Sequence, residues 1–134
     1  CSDFDTGSYT AASGGVTTLV EMPQSGHLTS LFTPAILNER IHDIKEHSIV
    51  DCALYGGIRA NDFSNAEALI QKGVAAFKIF LSDAGGYGSF DEASLMTLFQ
   101  LLKPSNCLVA VHAETQSICR NHPSFPSKKS ECNR

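Results

Sequence analysis

The chain has 134 residues, the size of one domain, with 43% hydrophobic residues and a net charge of −4, and a mean hydropathy near zero. An acidic balance excludes a nucleic-acid surface or an anionic membrane as the main partner, because neither attracts a negatively charged chain. No apolar run is long enough for a membrane span and no basic-then-apolar leader opens the chain.

In chain order, Asp5 to Ser13 reads as a helix stopped by Gly14-Gly15, followed by a strand rich in β-branched residues from Val16 to Met22. Thr33 as N-cap and Pro34 at the first helical position open "TPAILNERIHDIKEH", with Leu37, Ile41 and Ile44 at helical spacing. The strand "SIVDCALYGGI" (48–58) comes next, then a helix from about Ser64 to Lys72 ending at Gly73. A strand at 74–81, a helix from Phe90 to Leu102 and the strand "CLVAVHA" complete an αβαβαβαβ order. Residues 115–134 carry Ser, Pro and basic residues without a period, so they read as an irregular or disordered tail beside a domain of residues 1–114.

This alternation predicts an α/β fold with a parallel sheet, either doubly wound or barrel-like. Met22-Pro23, Tyr55-Gly56-Gly57, Lys78 with Ser82, and His112-Ala113-Glu114 all fall near the C-terminal ends of strands. Those ends form the active face of a (β/α)8 TIM barrel, so a partial barrel of about four βα units is the predicted architecture. Such a sheet has unpaired edges at Val16 to Met22 and Cys107 to His112, which predicts a homo-oligomer or association through those edges.

Alternation along "AAFKIFLS" puts Ala76, Lys78, Phe80 and Ser82 on one face and Phe77, Ile79 and Leu81 on the other. In the last strand Leu108, Ala110 and His112 share a face. Lys78 and His112 therefore both point toward the barrel axis. An inward amine is costly unless paired or chemically changed. It could take up carbon dioxide as a carbamate that bridges two metals with His112 as a ligand, form a Schiff base with a carbonyl substrate, or pair with Glu114 or Asp83. Residue chemistry leaves these three open; Glu114 is also placed to orient the His112 ring.

Other groups carry less. Cys119, His122 and Cys132 are too irregularly spaced for a zinc site, and "SDAGGYGS" lacks the phosphate-loop lysine and reads as a mobile loop over the site. His27, His42 and His47 read as surface residues. The five cysteines are odd in number and irregularly spaced, which predicts reduced thiols and a cytoplasmic setting.

Taken together, "DFDTGSYTAASGGVTTLVEMP", "VDCALYGGI", "GVAAFKIFLS" and "VAVHAE" resemble, in order and spacing, the cyclic amidohydrolases: dihydroorotases, hydantoinases and most closely allantoinases. The resemblance covers about residues 3 to 114. It implies a (β/α)8 barrel with two divalent metals, usually zinc, bridged by a carboxylated lysine that Lys78 matches, and a ligand histidine that His112 matches. The substrate implied is a small cyclic amide or ureide, with Ser82 in a substrate-binding run. Hydantoinases carry a tyrosine where Asp83 stands, and dihydroorotases an Asn-Thr pair where Gln24-Ser25 stands, so the resemblance leans to allantoinase, with a dihydroorotase-like hydrolase as the alternative. The family's His-x-His pair has no counterpart, its later histidine ligand and general-base aspartate find no match, and the similarity stops after "HAET". The expectation is a truncated, spliced or fragmentary chain with no complete catalytic set, inactive alone, or a non-catalytic isoform that associates through its sheet edges.

Overall fold

A computed structural model describes residues 4–23, 31–82 and 88–121. The elements run α1 (Phe4–Ser13), β1 (Thr18–Glu21), α2 (Pro34–His47), β2 (Asp51–Gly57), α3 (Ala66–Gln71), β3 (Ala76–Phe80), α4 (Glu92–Leu102), a 3-10 turn (Lys103–Ser105), β4 (Leu108–His112) and α5 (Gln116–Asn121).

Local chemistry sets the ends. α1 closes where Gly15 takes φ 81° and Val16 N donates to Ala11 O at 2.9 Å, a left-handed exit that glycine adopts without a Cβ clash. α2 has Pro34 in its first turn and Thr33 as N-cap, its hydroxyl accepting from Ile36 N. α4 is capped by Asp91, whose carboxylate accepts from Ser94 N at 2.8 Å. The strands are shorter than predicted by one to three residues at an end: Ser48 caps α2, and Val16 and Thr17 belong to the exit from α1. Within the segment predicted to be irregular, Gln116–Asn121 forms the short helix α5. Thr115 O accepts from Ile118 N at 2.9 Å to open it, a local bond that an apolar-periodicity reading does not register.

The sheet has the order β1-β2-β3-β4, all parallel. Spatial order follows chain order with no reversal, as in a barrel wall and unlike a doubly wound sheet, whose order reverses at its switch point. The architecture is a partial (β/α)8 barrel. Among the described residues β1 and β4 each have one strand partner.

The core lies between the outer face of the sheet and the helices. Phe77, Ile79 and Leu54 pack there with Leu37, Leu69, Leu98 and Leu102. Each fully buried side chain of this size contributes about 2 kcal/mol. Gly56 makes room for Phe77: a Cβ at that position would stand 2.8 Å from the Phe77 ring. Val109 packs against this core, whereas Val111, expected on the same covered face, stays 38% exposed because β4 is the last strand of the described sheet. At the β1 side, Arg40 Nη1 donates to Glu21 Oε1 at 2.9 Å and pins the edge strand to α2. Among the described residues no helix is long and apolar enough to cross a membrane.

Candidate functional site

The register shows how β3 presents its lysine. Lys78 is the partner of Gly57 on β2 and of Ala110 on β4. The side chains directly beside it in the sheet are therefore a hydrogen atom and a methyl group. Lys78 itself is 9% exposed, and Ala76, Phe80 and Ser82, which alternate with the core residues, are also buried. Parallel strands buried on both faces normally carry apolar residues throughout, so a buried lysine here is the exception.

Among the described residues, no carboxylate lies within ion-pair distance of Lys78 Nζ. Its defined neighbour is the Phe80 ring, whose centroid is 5.1 Å away, a separation at which an ammonium is attracted to an aromatic face. Glu114, one of the two candidate counter-charges, instead has Oε1 3.0 Å from His112 Nε2. Asp83, the other, lies outside the described residues, as do Gln24, Ser25, His27, His122, Cys132 and the glycine-rich residues 83–87.

His112 ends β4, with its side chain 52% exposed. It is the register partner of Phe80, and the two rings stack with centroids 5.4 Å apart and planes 22° from parallel. Lys78 and His112 thus share a face, two residues apart along the strand direction, with Phe80 in contact with both. Ser82 follows β3 and is buried. Among the described residues, no group of three or more His, Cys, Asp and Glu side chains could hold a metal ion. Among the described residues this face carries an amine and an imidazole, which could supply part of a donor set but not a whole one.

Two features escaped sequence reasoning. Phe80 is one, since alternation places it on the inner face but only the β3 to β4 register sets it against His112. The other is Arg59, whose guanidinium lies 3.9 Å over the Phe32 ring at a cleft past the end of β2 that Gly57 and Ala66 also line. Elsewhere, burial pushes the Glu21 carboxyl above its ordinary value although Arg40 acts in the opposite sense. Burial likewise pushes the Cys107 thiol up, the mark of a packed rather than a reactive cysteine.

No protein-family model matches the chain. It is 36% identical over 116 residues to an allantoinase of Solibacter usitatus, covering 84% of this chain and 25% of that protein. It is 35% identical over 118 residues to an allantoinase of Rubrobacter xylanophilus, covering 86% of this chain and 26% of that one. In structure it is similar to the L-hydantoinase (dihydropyrimidinase) from Arthrobacter aurescens, with a TM-score of 0.76 and 29% identity over 87% of this chain and 26% of that one. The chain spans about a quarter of the length of the curated relatives it matches.

Proposed function

We propose a hydrolytic function from one premise: the chain belongs to the cyclic amidohydrolases. In this reading it forms the part of a barrel that bears the bridging lysine, and the whole protein opens the ring of a cyclic amide or ureide by hydrolysis. The relatives named allantoinase support allantoin as the substrate, giving allantoate. The observation that carries the reading is Lys78: a buried amine with no carboxylate beside it among the described residues, flanked in register by Gly57 and Ala110, on the face that also bears His112.

The neutral amine of Lys78 adds to carbon dioxide; an N–C bond forms, a proton leaves, and the side chain ends in a carbamate with two oxygens. Gly57 and Ala110, with the smallest side chains, take up the least room beside those added atoms. His112 would offer a ring nitrogen on the same face, with the Glu114 carboxylate 3.0 Å from its Nε2. When bound, two divalent metals, zinc by family resemblance, supply Lewis-acid polarisation of the ring carbonyl and make a water acidic enough to attack near neutral pH. Ser82 stands after the same strand as a hydrogen-bonding group for the substrate. The free thiols Cys52 and Cys107 are in keeping with a cytoplasmic setting.

The experiment is a chimera in which this chain's residues replace the matching segment of the Solibacter usitatus allantoinase. Allantoin hydrolysis by the chimera, with no turnover of dihydroorotate, supports the reading. A folded chimera that hydrolyses neither, or dihydroorotate alone, counts against allantoin. Trapping of a carbonyl substrate on Lys78 by borohydride would favour the Schiff-base chemistry instead.

A second reading, association through the sheet edges, is favoured by Val20 on β1 and Leu108 on β4, which are 49% and 72% exposed. Light scattering after size exclusion of the 134-residue chain tests it: a monomer at micromolar concentration counts against it.

A further inference from the structure

We propose that Phe80 is a positioning residue for this site, acting through His112 and Lys78 without touching substrate; the inference rests on the reading of His112 as a metal ligand. Phe80 and His112 are register partners on adjacent parallel strands, and their rings stack at 5.4 Å with planes 22° apart. Cross-strand aromatic pairs of this kind hold each other's orientation. The Glu114 carboxylate lies 3.0 Å from Nε2, which leaves Nδ1 as the nitrogen more open to a metal.

That contact engages one nitrogen but leaves the ring free to swing about it, and the His112 side chain is half exposed. The phenyl face of Phe80 supplies the missing constraint. Phe80 is itself buried, so it is a fixed wall. The same ring lies 5.1 Å from Lys78 Nζ. One side chain thereby sets the direction of both donor groups, which alternation along β3 and pairing with β4 bring to its two neighbours. A leucine would fill much of the space but offers neither a stacking plane nor attraction for the amine.

The test uses the 134-residue chain with ¹⁵N-labelled histidine, studied by NMR with zinc chloride as the probe, alongside Phe80→Leu and Phe80→Tyr. In the unsubstituted chain, nuclear Overhauser contacts join the His112 and Phe80 rings, and zinc moves the Nδ1 resonance rather than that of Nε2. Phe80→Leu loses the ring-current shift of the His112 protons, loses the preference for Nδ1, and weakens zinc binding at His112 by about tenfold. Phe80→Tyr restores all three. A residue that served packing alone would change melting temperature without changing which nitrogen zinc selects. Folded Phe80→Leu with unchanged His112 shifts and an unchanged zinc midpoint overturns the inference. Absence of ring-to-ring contacts in the unsubstituted chain overturns it even if the leucine variant does not fold. Zinc that leaves His112 unmoved while those contacts are present overturns the ligand reading instead.

Discussion

Ala110 stands directly across from Lys78 in the pairing of β3 with β4. A methyl group at that point leaves room beside the amine, and a larger side chain would take it. Ala110→Leu, placed in the allantoinase chimera, is expected to lower ring-opening turnover on the order of a hundredfold, as misplacement of a reacting group by about 1 Å does. Ala110→Ser is expected to retain most of the activity. Steady-state kinetics on both variants, with melting temperatures to show that they fold, check this.

The ion pair between Arg40 and Glu21 predicts a pH signature. Arg40 is 4% exposed and Glu21 20%, so Arg40→Ala strands a largely buried carboxylate and is expected to cost about 3 kcal/mol in urea denaturation. Burial raises the Glu21 value above 4.5, so the folded chain binds more protons than the unfolded one just above that pH. The contribution of Glu21 to stability therefore falls as pH rises from about 4.5 through the raised value, and recovers as pH falls below it. Glu21→Gln should flatten the stability profile in that window.

Asp91 has the opposite sign. Hydrogen bonds from Ser94 hold its carboxyl below the usual aspartate range, so the stabilisation of α4 by this cap is present above the ordinary aspartate value and lost as pH falls through the lowered one. Asp91→Ala is expected to speed hydrogen exchange at the Ser94 amide several-fold and to abolish the pH dependence of that exchange stability.

At Gly56 the constraint is steric. Gly56→Ala brings a Cβ to 2.8 Å from the Phe77 ring, which is fully buried and has little room to retreat. The expected loss is about 1–3 kcal/mol in chemical denaturation.

Much of the frame was legible in the sequence because its signals are local. The glycine stop at residues 14–15, the Thr33-Pro34 start and the apolar spacing of α2 act within a few residues, and each predicted helix and strand is present. Alternation along β3 correctly separated Phe77 and Ile79, which are buried in the core, from Lys78. What depends on register was not legible: that Gly57 and Ala110 flank Lys78, that Phe80 meets His112, and that Arg40 reaches back 19 positions to Glu21. Strand ends were overextended because β-branched residues such as Val16 and Ile49 carry the same propensity whether or not a neighbouring strand is there to pair with them. Helix α5 was missed because six residues with a single exposed isoleucine show no amphipathic period.

The carboxylated Lys78 is tested most directly by Lys78→Arg in the chimera, measured as metal content per chain together with allantoin turnover. Arginine keeps the positive charge and much of the length but cannot form the carbamate. Loss of both bound metal and turnover in a folded variant is the predicted result. A folded Lys78→Arg chimera that keeps its metal and its rate would contradict the assignment and leave Lys78 as a buried structural charge.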